Sequence, residues 1–535
     1  MTSLDRRFEH ARHDPIKRRT GPACAAPAGL LALLMLPSVA TAAGPGNLDP
    51  SFGNGGKAVV DFSGSFGFDA GNGVAIQKDG KIVVAGDIFK NNHSFALARF
   101  TADGKLDKSF AGGTITLDFG VDSFDAAAAV AIQKDGKIIV AGFSAANNLD
   151  GDFALARYDT NGTLDRTFSA DGKVTTDLGA NDRATALLIQ PDGKILVAGG
   201  VDTIFDNFPE MFALARYNAD GTLDKTFSGD GKLVTDLGNG IDGASALALQ
   251  SDGKIVAAGS SAANVTSIDF AVARFLPNGT FDKGFSGDGK TFVNFGSNNS
   301  DQAYGLAVQP DGGIVVAGVS VDPRYAFLFA LTRLTADGRL DSRFSKDGRA
   351  LFSFDASGKD QAYAVAIQPD ERIVAAGVSG YDLAVLRVLP DGTLDKSFSG
   401  DGKLTTDFDG GADAARALAI QRDGKIVAAG TAFTSTFTNV SDDFAVVRYR
   451  NFFCGGADAT VVGSNANERI TGTSGRDVIL GLGGKDTING LGGNDLLCGG
   501  DGDDTLDGGD GDDLCDGQQG SDTAAPSCEK RAGVP

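Results

Sequence analysis

The chain has 535 residues, 42% of them apolar and 22% charged, with 75 glycines, 15 prolines and no tryptophan. That length exceeds one small domain, the apolar share supports a packed core, and glycine without excess proline excludes a collagen-like or proline-rich chain. A formal charge of −21 excludes nucleic acid and anionic lipid as partners by repulsion and favours divalent cations.

Six basic residues precede position 20, and an apolar run from Ala25 to Val39 follows. Ala40-Thr41-Ala42 then places small residues where a signal peptidase cuts. This layout predicts a signal peptide over residues 1–42 and a secreted, extracellular or cell-surface protein. The run is short for a span of about 20 residues and no later segment is long enough, so no membrane span is expected after cleavage. Cleavage would remove six basic and three acidic residues and take the charge from −21 to −24.

Residues 43–450 repeat one unit seven times. A string of the form Gln-x-Asp-Gly-Lys-Ile-Val-Val-Ala-Gly begins at Gln77, Gln133, Gln190, Gln250, Gln309, Gln368 and Gln421. Phe-Ala-Leu-Ala-Arg-Tyr places its Arg at 99, 157, 216, 274, 333, 387 and 448, and Leu-Asp-x-x-Phe ends at 52, 110, 168, 227, 285, 344 and 398. Three landmarks that agree on seven copies predict a repeat architecture. The first unit reads as four strands, Lys57–Phe62, Gly73–Gln77, Lys81–Asp87 and Ser94–Phe100. Asp79-Gly80 between apolar runs predicts a tight hairpin, because glycine supplies a positive φ. The sixth unit has Asp370-Glu371 instead, which predicts a different turn. Four short strands per unit and no helical period predict a seven-bladed β-propeller, an all-β fold whose ring leaves only short edges. A residue used once for chemistry is not needed seven times. The repeated Asp (Asp49, Asp107, Asp165 and their equivalents) is therefore read as a turn cap, and the repeated Arg as a blade-to-blade ion pair or hydrogen bond. These strings resemble the delta-60 repeats of secreted bacterial proteins, over about 400 residues. The resemblance implies a propeller and brings no substrate or catalytic site.

Residues 451–471 read as a linker or cap. From 472 to 525 an Asp recurs every ninth residue, at Asp477, Asp486, Asp495, Asp504, Asp513 and Asp522. A Gly lies two places before each, at Gly475, Gly484, Gly493, Gly502, Gly511 and Gly520. An apolar residue follows two places after the Asp, as in Ile479, Ile488, Leu497 and Leu506. The spacing predicts tight turns that gather oxygen donors, with a short strand behind each, and calcium takes six to eight oxygens in flexible geometry. The pattern is similar to the RTX, or hemolysin-type, nonapeptide. That resemblance implies a small parallel β-roll with two nonapeptides per coil, calcium as the ligand of these Asp and Gly positions, and shared ions between residues 18 apart. Thr473-Ser474 and Gln518-Gln519 break the glycine pattern at the two ends and read as caps. Residues 526–535 form a C-terminal tail.

After cleavage four cysteines remain, Cys454, Cys498, Cys515 and Cys528, an even number suited to two disulfides in an oxidising compartment. Three pairings are possible, of which Cys454–Cys498 with Cys515–Cys528 is the one expected. The cleaved chain keeps a single histidine, His93, read as a solvated loop residue without a partner. No nucleophile–base pair, zinc spacing or phosphate loop is visible, so no enzyme is expected. The functional expectation is a secreted calcium-binding protein whose propeller is a binding scaffold for a cell-surface glycan or protein. The alternative is a secreted hydrolase or lyase that uses propeller-loop carboxylates. The loops Asp202–Glu210, Ser320–Tyr325 and Thr431–Asp443 break the repeat rhythm and are candidate ligand loops.

Overall fold

The computed structural model describes residues 45–534, apart from 65–66, 91, 147–149, 180, 203–209, 239–241, 265–266, 297–298, 356, 436–439 and 456. The expected signal peptide, 1–42, and residues 203–209 and 436–439 of the candidate ligand loops lie outside the described residues. All regular structure among the described residues is strand.

Seven antiparallel four-stranded sheets form a ring. Blade 1 runs Phe68–Ile76, Ile82–Phe89, His93–Phe100 and Thr114–Leu117 in spatial order. The first strands of successive blades pack against one another in a closed cycle and are therefore innermost. Blade 7 takes three strands from Ala414–Ile420, Ile426–Ser435 and Val440–Tyr449. Its fourth is Lys57–Val60, which pairs with Val447 to Phe444 from the start of the repeat region. The sequence reading gave Lys57–Phe62 to the first unit. It is instead the outer strand of the last blade, so the ring closes by joining its two ends.

The strand Ile82–Phe89 is apolar along its buried run because both faces are covered. Ile82 and Val84 pack on Val427 and Ala429 of blade 7, while Val83 and Ala85 pack on Ile138 and Val140 of blade 2. Period-two alternation thus sends successive side chains to opposite neighbours. Each innermost strand carries a bulge, at Gly71/Gly73 in blade 1 and at the matching place in the other six. The Gly of each Val-Ala-Gly string lies against that bulge. A Cβ on Gly86 would run into the Ala70 carbonyl.

The three sequence landmarks meet at one corner of each blade. Arg99 Nε donates to Asp107 Oδ2 at 2.8 Å, its guanidinium lies 4.4 Å from the Phe110 ring centre, and Nη1 reaches the Thr160 carbonyl of the next blade. The same set recurs around the ring and closes with Arg448 on Asp49 at 2.8 Å and on the Ala102 carbonyl. Burial opposes the charge on Asp107, but the hydroxyl and amide of Ser109 and the Arg99 charge outweigh it and hold its pKa below the usual range. The repeated Asp is thus both turn cap and ion-pair partner. The pair lies within one unit, and the Arg reaches across to the next.

The sixth unit keeps the turn it was expected to lose. Glu371 takes φ 64° and its N–H bonds the Gln368 carbonyl at 2.9 Å, as Gly80 (φ 80°) bonds Gln77 at 3.0 Å. The two-residue geometry is set by the flanking strands, so the side chain accepts the left-handed region at a cost.

Behind blade 7 the chain enters a parallel β-roll. One sheet stacks Val461–Val462, Val478–Gly483, Leu496–Asp501, Leu514–Gln519 and Lys530–Ala532, and the other stacks Arg469–Thr471, Thr487–Asn489, Thr505–Asp507 and Thr523–Ala524. Partners are 18 residues apart, as in Val478↔Leu496↔Leu514, so one coil is two nonapeptides. Ile479, Ile488, Leu497 and Leu506 fill its thin core at 0% exposure. The coil already includes residues 461–471, the segment read as linker or cap. Two disulfides, Cys454–Cys498 and Cys515–Cys528, tie its ends. Phe452 packs with Val478, Leu480 and Leu496 of the roll and covers Gly424 in the second-strand turn of blade 7. Asn451 Oδ1 accepts from Arg387 Nη1, where the other six blades offer a backbone carbonyl.

Relieving the strained turn gives a direct check. Glu371→Gly should stabilise the propeller by about 1 kcal/mol, since a non-glycine residue in the left-handed region costs roughly that much. Thermal melts of the full chain read it. A lower melting temperature would mean that Glu371 is held by its side chain and not merely tolerated.

Candidate functional site

The nine-residue period and 18-residue coil sort the six predicted aspartates into two columns, Asp477, Asp495 and Asp513 in one and Asp486, Asp504 and Asp522 in the other. All six are at most 5% exposed. Within a column each carboxylate holds the coil before it. Asp495 Oδ1 accepts the Asp477 N–H at 2.7 Å and Asp513 Oδ1 accepts that of Asp495 at 2.7 Å. Asp504 and Asp522 do the same for Asp486 and Asp504, both at 2.8 Å.

The second oxygen is the informative one. Oδ2 of Asp486, Asp495, Asp504, Asp513 and Asp522 is buried with no hydrogen-bond partner. Five such atoms in adjacent turns are far outside the ordinary pattern, in which buried polar atoms are bonded. Each lies against the first glycine of its own nonapeptide, where a Cβ on Gly481, Gly490, Gly499, Gly508 or Gly517 would strike it. Burial raises the Asp486 pKa to about 6, with the charges of Asp504 and Glu468 adding to it. Burial also raises Asp495 and Asp504, helped by Asp513 and Asp477 and by Asp522, Asp503 and Asp501 respectively. The cradle is built of hard oxygen donors around a tight backbone, which fits calcium and suits neither zinc nor copper.

Asp477 departs from the set. Its Oδ2 accepts from the Thr473 N–H at 2.6 Å and hydroxyl at 2.9 Å, so the residue that breaks the glycine pattern also satisfies the carboxylate. The predicted glycines do a different job from that of the first glycines. Gly484, Gly493, Gly502, Gly511 and Gly520 have φ between 101° and 145°, and a Cβ on any of them would collide with the backbone of the coil before. A Cβ on Gly475 would make only an ordinary contact, with Thr473 Oγ1 at 3.8 Å. Sequence reasoning missed the column ends. Glu468 Oε2 accepts the Ser464 N–H and its own N–H bonds Asp486 Oδ1, while Glu529 Oε2 accepts the Asp513 N–H. Glu468 lies nine residues before Asp477 and was findable. Glu529 is off the period and was not.

Comparison with known families settles what the two regions are. The propeller matches the family described as "Domain of unknown function (DUF5122) beta-propeller" at residues 77–110, 133–168, 190–227, 250–285, 309–344, 368–398 and 421–451. The tail matches the RTX calcium-binding nonapeptide repeat at 462–497 and 499–524. The chain is a seven-repeat DUF5122 β-propeller with an RTX array behind it. No curated protein matches it. Among solved structures, a protein of unknown function from Dyadobacter fermentans is 13% identical over 75% of this chain and 100% of its own, with a TM-score of 0.42. An ulvan lyase of polysaccharide lyase family PL25 is 12% identical over 72% of this chain and 95% of its own, at 0.39. Regucalcin from Agrobacterium tumefaciens, a calcium-binding protein, is 12% identical over 72% and 92%, at 0.30. Likeness this distant carries no functional argument.

The DUF5122 ring also holds a repeat that sequence reading overlooked. Asp69, Asp125, Asp182, Asp242, Asp301, Asp360 and Asp413 open the innermost strands at no more than 1% exposure. Each accepts a backbone N–H from the preceding loop, as Asp69 does from Phe62 at 2.7 Å and Asp301 from Phe295 at 2.8 Å. The signal was in plain view, an Asp eight residues before every landmark Gln. His93 also differs from expectation. It opens the third strand of blade 1, stacks on Phe124 with ring centres 3.9 Å apart, and lies 3.5 Å from Asp87.

The raised pKa values of the RTX array set a pH dependence. A carboxyl whose folded pKa is raised binds its proton more tightly in the folded state, so its stability contribution is present below about pH 4 and lost as pH rises through about 6. In chelator, the array of the full chain should therefore lose its strand signal between about pH 4 and 7, and millimolar calcium should restore it at pH 7.5. Circular dichroism reads both. A chelated array equally ordered at pH 4.5 and 7.5 contradicts the reading.

Proposed function

We propose that this protein works outside the cell, that calcium folds its RTX array, and that the DUF5122 propeller is a non-catalytic scaffold that binds a surface glycan or protein. The column of buried, partnerless Oδ2 atoms carries the calcium reading. Asp486, Asp495, Asp504, Asp513 and Asp522 would hold the ions, with Gly484, Gly493, Gly502, Gly511 and Gly520 letting the coils approach. Asp477, engaged by Thr473, and Gly475 belong to the cap. Calcium supplies positive charge to a region of net charge −10, from Asn451 to Pro535. Without it, like charges in adjacent coils oppose the compact state.

The location follows from the same chemistry. The two disulfides persist where thiols are oxidised, and millimolar calcium is found outside the cell. For the propeller, the repeated residues are committed to corners and turns, so recognition falls to those that do not repeat. The bulge positions carry Asn72, Ala128, Thr185, Ser245, Tyr304, Tyr363 and Arg416, a different surface from each innermost strand. Tyr304 and Tyr363 lie 5.4 Å apart as neighbouring rings, a pairing suited to a sugar face.

Calorimetry of the full chain with calcium tests the array. The parent should bind at roughly 0.1–1 mM, the range of extracellular modules. Asp495→Ala with Asp504→Ala should bind fewer ions and leave the propeller's melt unchanged. Undiminished uptake by the double variant would rule the column out as the site.

A further inference from the structure

Each blade junction brings together three positions. They are the buried Asp that opens an innermost strand, the residue that ends the outer strand of the blade before, and the residue just ahead of the buried aromatic or leucine on that blade's third strand. In the junction between blades 4 and 5 these are Asp301, Asn294 and Asp269, and the Asn294 amide donates to Asp269 at 2.7 Å. Between blades 3 and 4 the set contains Met211, and between 5 and 6 it contains Leu328. At three junctions all three positions are aspartate, and one oxygen from each lies within 4.8 Å of the others.

Two of those three triads are satisfied from within at their buried member. Asp69 accepts from the Ser63 hydroxyl and two backbone N–H groups, and Asp413 accepts from Phe408 and Phe433. The third, Asp152, Asp177 and Asp182 between blades 2 and 3, is not. Asp182 has 0% exposure, its Oδ2 takes the Leu178 N–H, and its Oδ1 has no partner. The residue paired with it across the hairpin is Val201, whereas Asp125, Asp242, Asp301 and Asp360 face Ser144, Ser261, Ser320 and Ser379. Oδ1 of Asp125, Asp242, Asp301 and Asp360 is likewise buried without a partner, but none of those junctions gathers three carboxylates, so the orphaned oxygen and the acid triad coincide at Asp182 among the described residues. Asp152 and Asp177 both act on Asp182, adding to burial in raising its pKa to about 6. The nearby cation is Lys232, whose Nζ bonds the Asp177 carbonyl at 2.7 Å and eases the charge on Asp152. One ammonium faces three carboxylates, and a fully buried oxygen is left with neither donor nor cation.

We propose that Asp152, Asp177 and Asp182 bind a hard divalent cation, calcium, at the junction of blades 2 and 3, as a site separate from the RTX array. Three carboxylates provide up to six oxygens, and their irregular placement on three strands suits calcium's flexible shell better than the strict octahedron of magnesium. Bound there, the ion ties the second blade to the third through a buried charge that nothing else neutralises.

The RTX region from Asn451 onward contains no tyrosine and no tryptophan. Tyr217 is close enough to feel the Asp182 charge, and its hydroxyl bonds Thr176, the neighbour of Asp177. The part of the terbium emission that is excited through tyrosine and lost in Tyr217→Phe therefore reports an ion beside Asp182. The parent should give saturable emission that calcium displaces and magnesium does not. Asp177→Asn, at an exposed position, should weaken terbium binding by about tenfold or more, since affinity follows ligand charge, and Tyr217→Phe should dim the signal without changing calcium uptake. Should Asp177→Asn fail to fold, Asp152→Asn gives the same reading. Absence of saturable emission in the parent, or unchanged emission in a folded variant, overturns the site. Calorimetric uptake by the array is read separately, so the two calcium readings stand or fall apart.

Discussion

A buried aspartate with one oxygen on a backbone N–H and a second oxygen in need of a partner is the constraint on which both halves of this protein depend. In the ring it occurs once per blade, where Asp69 and its equivalents pin the loop that leads into the innermost strand. In the array it occurs once per nonapeptide, where Asp495 or Asp504 pins the coil before it. The backbone bond explains why the residue repeats. What the second oxygen meets decides what each copy is for. Thr473 satisfies it at Asp477 and Ser63 at Asp69, while in the array five such oxygens stack in adjacent turns with no donor.

Repetition and function are complementary in this chain. Gln77, Arg99, Asp107 and Phe110 are far apart in sequence and meet at one corner, with the Arg spanning to the next blade. Seven such corners form a closed belt, and Asp49 with Arg448 completes it across the chain ends. Chemistry repeated seven times serves the ring. Residues that escape the repeat, such as Val201 opposite Asp182 or Tyr304 and Tyr363 at their bulges, are where the blades become unequal. The roll is tied to the same belt. Asn451 replaces a carbonyl as the acceptor for Arg387, and Phe452 joins the roll's outer apolar cluster to the turn of blade 7. Two adjacent residues thus make the contact between the array and the last blade.

Much of this was legible in the sequence. Seven units, four strands in each, and the nonapeptide period follow from spacing alone, because side-chain alternation and tight turns leave a regular trace. What escaped had physical reasons. Lys57–Val60 reads like the start of a unit, and only ring closure makes it the end of another. Glu371 looks unfit for its turn, yet the flanking strands impose the backbone whatever the side chain. His93 looks solitary because its partners, Asp87 and Phe124, come from different strands. The aspartates eight residues before each Gln are single residues among varied neighbours, and only the placed strands show that they are buried on a loop N–H. The acid triads needed three strands and two blades to be placed first.

Amide hydrogen exchange on the full chain, with calcium and with chelator, tests the central claim most directly. The N–H groups of Asp477, Asp486, Asp495 and Asp504 are donated to the carboxylates whose other oxygens have no hydrogen-bond partner. Their protection should appear with calcium and vanish in chelator, while the N–H groups of Phe62, Phe119 and Phe295 in the ring stay protected in both. Equal protection of the four array amides with and without calcium would contradict the account.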